Sequence, residues 1–192
     1  MNRAQLKLKS KVQLGNSIFS NSWLISVVVV LIAGAILGIS SVVSLVFVGF
    51  VSLALNMYFK TLVREGKASV ESVFGVFKND LGTTLLLGIM QTIFIALWSL
   101  LFVIPGIVKY YAYSMAFYLK SEHPDWDWRR CLDESERLTQ GHKTDLFILD
   151  LSFIGWYFVG GLVFGVGTLW VQAYHQTARM NYFEEITAVR VD

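Results

Sequence analysis

Long apolar runs alternate along this chain with short sections dense in charge. The first run, Trp23 to Phe59, contains no charged residue. As one helix it would extend roughly 55 Å at ~1.5 Å per residue, against a hydrocarbon core of about 30 Å. It is therefore expected to cross a bilayer twice, as span one (Trp23 to Ile39) and span two (Val42 to Leu62), turning near Gly38 to Ser41. A cleaved signal peptide has an apolar region of only about 7 to 15 residues, so the run is expected to be retained. Span three covers Leu81 to Ile104, and Pro105-Gly106 is expected to form a tight turn because proline ends a helix and glycine eases the reversal. Span four, Ile107 to Glu122, is short, with Lys109 and Lys120 expected to snorkel to the interfaces. The last hairpin joins Leu146 to Phe164 with Val166 to Tyr182 through Gly165-Val166-Gly167.

The predicted fold class is all-α: a polytopic membrane protein with six transmembrane helices as three hairpins and cytoplasmic amphipathic helices. Residues 1–192 then form a single integral membrane domain. Within it, 1–20 is an interfacial basic helix, 21–62 hairpin one, 69–122 a surface helix with hairpin two, and 127–187 a surface helix with hairpin three. Ala4, Leu8, Val12 and Gly15 fall at helical spacing among Arg3, Lys7, Lys9 and Lys11, the pattern of a basic helix lying on anionic lipid, or else of a solvated tail. Trp23 suits the inner aromatic belt. Gly34-x-x-x-Gly38 offers a close helix contact. Val70, Val73, Phe74 and Phe77 predict a short amphipathic helix after Ser69. A second is predicted with Asp127 as N-cap, Gly141 as stop, and Trp128, Cys131, Leu132 and Ser135 on one side. Its Arg130/Glu134 and Asp133/Arg137 pairs would support a solvated face.

Composition agrees with this pattern: 55% of residues are hydrophobic and 16% charged, with a mean hydropathy of +0.55. A net charge of +2 with no basic patch points away from nucleic acid. One cysteine and three scattered histidines offer no internal disulfide and no zinc spacing, so no metal or other cofactor is expected. Orientation follows from where the cations lie. Arg3, Lys7, Lys9 and Lys11 precede span one; Lys60, Arg64, Lys67 and Lys78 lie at the end of span two and after it; Lys120, Arg129, Arg130, Arg137 and Lys143 lie at the end of span four and after it. The three short links contain none. By the positive-inside rule the long sections and both termini face the cytoplasm, in a multi-pass plasma-membrane protein. Met57-Tyr58-Phe59, Met115-Ala116-Phe117-Tyr118 and Met180-Asn181-Tyr182-Phe183 end the three hairpins alike, which either a parallel threefold repeat or the aromatic belt would produce.

The candidate site is the polar set within the last hairpin. Gln172, His175, Gln176 and Arg179 share one helical face, and Asp150 lies on the other arm, each of Asp150 and Arg179 about 7 Å inside its span. Asp150 and Arg179 are expected to pair, because an isolated ionised group in hydrocarbon costs at least about 2.5–3.5 kcal/mol. Asn56 and Gln91, on spans two and three, are candidates to join them. One reading is a cytoplasm-facing polar cavity in which Arg179 binds an anion and His175 or Asp150 exchanges protons. The favoured reading is interhelical glue, since broken helices aimed at a site are missing from the pattern. An Asp150/His175 hydrolase is the weakest reading: the two lie about 7 Å apart in expected depth and no serine, cysteine or metal set completes a mechanism.

At Ile104-Pro105-Gly106-Ile107, Tyr113-Ser114-Met115, Glu134-Ser135-x-x-Leu138-x-x-Gly141-His142-Lys143 and Phe147-x-Leu149-x-Leu151-Ser152-Phe153-Ile154-Gly155-Trp156, the chain resembles bacterial integral membrane proteins catalogued as a domain of unknown function, number nine-seven-five. Gly165-x-Gly167-x-Leu169-Trp170 and Tyr174 fit as well. Gln140 stands where that family usually has methionine, and Ala173 where proline often precedes the tyrosine, which is expected to leave span six straighter. The family is distantly similar to the membrane region of some glycerophosphodiester phosphodiesterases, which the resemblance implies to be non-catalytic. The expected function is that of a non-enzymatic plasma-membrane protein acting through membrane lipids or a protein partner at the cytoplasmic face, in assembly, envelope stress or protection against membrane-active peptides. The alternative is a small transporter or channel using the polar set.

Overall fold

The computed structural model describes residues 3–15, 20–38, 41–78, 81–162 and 165–189, and among them every regular element is helical. Ten α-helices follow in order: α1 Arg3–Gln13, α2 Asn21–Gly38, α3 Ser41–Glu65, α4 Leu81–Leu101, α5 Val103–Ala112, α6 Ala116–Glu122, α7 Trp128–Leu138, α8 Lys143–Leu151, α9 Ile154–Leu162 and α10 Gly167–Val189. Val70–Lys78 forms a 3-10 helix in place of the expected amphipathic α-helix, leaving Phe74 exposed while Val73 packs on the core. Phe77, and the surroundings of Gly34 and Gly38, lie outside the residues whose side chains are described, as do residues 39 and 40 of the first expected turn and Phe164 of the third.

Among the described residues two helical runs are long and apolar enough to cross a membrane, Leu81–Leu101 (mean hydropathy 2.0) and Lys143–Leu162 (mean hydropathy 1.4). Both keep large apolar side chains on the outside, among them Leu97, Leu101, Ile154, Phe158 and Leu162. α3 is the hub: it packs against α2, α4, α6 and α10. Tyr58, Tyr118 and Tyr182, from the three look-alike hairpin ends, are all fully buried in the main core. Trp23 is buried too, tilted on the Tyr174 ring at 6.1 Å rather than facing a belt, because α10 covers α2 at this point.

The second reversal falls at extended Phe102, three residues before Pro105. Pro105 then sits in the first turn of α5, where its missing N–H leaves no hydrogen bond unmade. Gly106 lets α5 fold flat on α4: an added Cβ would lie 2.8 Å from the Ser99 Cα. In the third hairpin Gly160 meets Gly167 so closely that a Cβ on Gly167 would lie 2.8 Å from the Gly160 carbonyl oxygen.

Span four is not one helix but two, α5 and α6, interrupted at Tyr113-Ser114-Met115. α7 repairs the gap. Ser135 Oγ donates to the Ala112 carbonyl at 2.7 Å and accepts from the Met115 N–H at 3.0 Å, Thr139 Oγ1 reaches the same Ala112 oxygen at 3.3 Å, and Gln91 Nε2 donates to the Tyr113 carbonyl at 3.3 Å. The expected face Cys131, Leu132 and Ser135 is therefore buried against α4 and α6 instead of being offered to a partner. Asp127 does cap α7, accepting from the Arg130 N–H, but of the expected ion pairs Glu134 bonds Arg137 instead of Arg130, which lies over the Trp126 ring.

Neither lysine of span four snorkels. Lys109 bonds Glu136 of α7 at 2.7 Å, and Lys120, 0% exposed, donates to the carbonyls of Pro124 and Trp126. A partner within reach satisfies an ammonium better than a stretched stem does. At the same end of the bundle Arg64 joins all three hairpins, bonding Glu184 of α10 at 2.7 Å, Glu122 of α6 at 3.0 Å and the Tyr118 hydroxyl at 3.2 Å, while Lys60 adds a second contact to Glu122 at 3.0 Å. Glu122, itself half-buried, is thus served by two cations at once.

Ser135→Ala leaves a buried N–H without its acceptor and is expected to cost about 1–3 kcal/mol, read as a lower midpoint of thermal unfolding in detergent. Glu122→Gln removes the charged acceptor that Lys60 and Arg64 share and is expected to lower the unfolding midpoint in detergent at neutral pH.

Candidate functional site

Asp150 sits in the last turn of α8, just before the chain breaks at Ser152-Phe153 and restarts as α9. The break changes what the carboxylate meets. Depths counted along unbroken antiparallel helices separate Asp150 from His175 by about 7 Å; with the helix interrupted, His175 Nε2 lies 2.8 Å from Asp150 Oδ1. The expected partner Arg179 is farther off, its Nε 3.9 Å from the same oxygen. The second carboxylate oxygen accepts from the Tyr111 hydroxyl of α5 at 2.9 Å.

The other His175 nitrogen, Nδ1, lies 3.2 Å from the Tyr157 hydroxyl of α9. A carboxylate only accepts, so Nε2 carries the hydrogen toward Asp150, and a neutral imidazole then accepts from Tyr157 through Nδ1. Phe153 stacks on the imidazole with ring centroids 4.5 Å apart. Above Phe153 lies the Lys7 ammonium of α1, 4.5 Å from the ring centre, which also donates to the Ser152 carbonyl at 3.2 Å. The second helix break is thus supported from outside its own hairpin, as the first is by Ser135, Thr139 and Gln91.

The remaining candidates do not converge on Asp150. Asn56 Nδ2 donates to Ser52 in its own helix, and Gln91 is turned to Tyr113. Gln172 and Gln176 are half-buried, with no side-chain hydrogen bond to any described residue. Arg179 donates through Nη1 to the Tyr110 hydroxyl at 3.3 Å. Tyr111 and Tyr157 escaped the sequence reading. Tyr157 follows Asp150 by seven residues, two helical turns on the same face, a spacing that would have found it; the contribution of α5 has no local signal.

Two further polar groups went unseen. Asn181 Nδ2 donates to Ser10 Oγ at 3.1 Å and to Gln13 Oε1 at 2.6 Å, and Gln13 Nε2 donates to the Val63 carbonyl at 2.8 Å, which fastens α1 to α10 and α3. The Tyr174 hydroxyl adds a bond to the Lys7 carbonyl at 3.1 Å. As a result Leu6, Ser10 and Leu14 face inward, and Ala4, Leu8, Val12 and Gly15 face out. A groove of about 380 Å³ lies beside this helix, lined by Gln5, Leu6, Lys9, Glu184, Glu185 and Ala188, and it includes no residue of the Asp150 cluster. Among the described residues no three His, Cys, Asp or Glu side chains are grouped to hold a metal ion.

These features define an all-helical protein with two membrane-length apolar runs among the described residues and a partly buried acid, imidazole and phenol chain joining α5, α8, α9 and α10. Residues 100–190 match the family described as protein of unknown function (DUF975), the family its motifs resemble. That segment contains α5 to α10 and with them Tyr111, Asp150, His175 and Arg179. No curated protein and no solved structure matches the chain, and the similarity to glycerophosphodiester phosphodiesterases finds no support.

Asp150→Asn weakens the acceptor for His175 and Tyr111 together, and is expected to lower stability by about 2–4 kcal/mol, against about 1 kcal/mol for Tyr111→Phe. Unfolding midpoints of both variants in detergent check this order.

Proposed function

We propose that this chain is a non-enzymatic, multi-span protein of the plasma membrane that acts through lipid or protein partners. The observation that carries the proposal is the contrast between inside and outside. Asp150, His175 and Tyr157 of the last hairpin are turned to one another and to Tyr111, while Leu100, Phe102, Val103 and Ile104 at one hairpin tip, and Trp156, Phe158, Leu162 and Val166 at another, stay exposed. An apolar surface of this extent suits lipid.

In this reading the chain crosses six times as three hairpins. α5 with α6, and α8 with α9, serve as interrupted spans, and the arginine and lysine distribution keeps the long sections and both termini in the cytoplasm. The outward stripe Leu8 and Val12, flanked by exposed Lys9 and Lys11, lies on the inner leaflet. A transporter is the second reading, favoured by one observation: both helix interruptions adjoin the Asp150 chain. Against it, Ser135, Thr139, Gln91 and Lys7 take up carbonyls that an ion pathway would need free.

Cysteine labelling in intact cells tests the topology. Cys131 is buried and its thiol is pushed up to about 11 by that burial, so the native chain gives little background. Phe102→Cys is expected to react with a membrane-impermeant maleimide from outside, and Lys9→Cys only after permeabilisation. The reverse pattern, or protein released from membranes by alkaline carbonate, overturns the proposal.

A further inference from the structure

We propose that Arg179 anchors a phosphate-binding site in the seam between α5 and α10, and that the phosphate it takes belongs to a membrane phospholipid. Arg179 is a permanent cation, so its environment cannot neutralise it by removing a proton. Its side chain is only 14% exposed, and its Nε is buried with no hydrogen-bond acceptor. The carboxylate that should serve it is occupied: Asp150 Oδ1 faces His175 at 2.8 Å and Oδ2 faces Tyr111 at 2.9 Å, leaving Arg179 Nε at 3.9 Å. Of the five guanidinium donors, the bond to the Tyr110 hydroxyl, at 3.3 Å, is long. A buried guanidinium so poorly served lacks an acceptor, and its planar fork matches two phosphate oxygens.

The surroundings fit that acceptor. Gln172 and Gln176 stand on the same face of α10, one and two turns before Arg179, half-buried and without side-chain hydrogen bonds to the described residues. Their amides supply further donors along the line of approach. The rings of Tyr110 and Phe183 lie 5.9 and 5.8 Å from the guanidinium carbon and hold its position. Tyr110 is 42% exposed, so the seam opens to the surface beside it. α10 packs against α1, α2, α3, α8 and α9, and α5 against α4, α7 and α8. Long side chains thus bridge the seam between α5 and α10. In the six-span arrangement Arg179 lies about one to two helical turns inside the cytoplasmic interface, within snorkelling reach of inner-leaflet headgroups.

The site rests on the bilayer reading above, and its test is separate. Native mass spectrometry of the full chain in mild detergent is run with added phosphatidylglycerol, phosphatidylcholine or inorganic phosphate. Wild type is expected to retain phosphatidylglycerol over phosphatidylcholine, and Arg179→Gln to lose that preference by about tenfold or more. Gln176→Glu, which places a negative charge in the row without removing the arginine, is expected to do the same at an unchanged unfolding midpoint, so a misfolded Arg179→Gln does not decide the matter. Displacement of the lipid by inorganic phosphate identifies the phosphate as the recognised group; retention of the lipid under excess phosphate assigns the acyl chains a share. Equal uptake of both lipids by wild type, or phosphatidylglycerol retained by both variants, overturns the site while leaving the membrane topology standing. A chain released from membranes by carbonate overturns the bilayer reading first.

Discussion

Backbone groups freed where a helix is interrupted inside an apolar bundle must find partners within the protein, and this constraint accounts for much of the architecture. The two interruptions, at Tyr113-Ser114-Met115 and at Ser152-Phe153, expose carbonyls that no neighbouring turn can use. α7 is drawn in against α4 and α6 because Ser135 and Thr139 serve the first; α1 is drawn onto α10 with Lys7 at the second. Segments that would otherwise lie on the surface therefore become structural members.

The same interruptions organise the ionisable groups. By stepping the chain between α8 and α9, the second break brings Asp150 and Tyr157 to opposite nitrogens of one imidazole, and α5 delivers Tyr111 to the remaining carboxylate oxygen. That arrangement takes up both Asp150 oxygens at hydrogen-bond distance and leaves Arg179 as a longer ion pair, its Nε 3.9 Å from Oδ1. Five residues farther along α10 the requirement is met in full, since Arg64 finds Glu122, Glu184 and Tyr118 at once and ties three hairpins at a point where water is near. The contrast between a well-served arginine and a poorly served one is what singles out the α5–α10 seam.

Hydrophobic patterning made most helices legible, because an apolar run of sufficient length has few alternatives to helix. Asp127 as the cap of α7 and the glycine link before α10 were also readable, each being a local stereochemical requirement. Of the candidate site, the members on α8 and α10 were visible as polar residues in apolar runs. Their pairing was legible only in part: Arg179 does lie in ion-pair range of Asp150, at 3.9 Å, but the hydrogen bond at 2.8 Å goes to His175, which the expected depths kept apart.

The sequence by itself determined the all-helical class, the positions of the charged sections and the residues that an apolar environment must compensate, because these depend on composition and on spacing within single helices. Only the tertiary structure decided which partner each polar group obtained, that one face of α7 is buried against α4 and α6, that Lys120 is buried among carbonyls, and that the reversal falls at Phe102. Those outcomes depend on where independent helices stop and cross. A side chain takes the partner that packing brings within about 3 Å, and spacing along one helix says nothing of its neighbour.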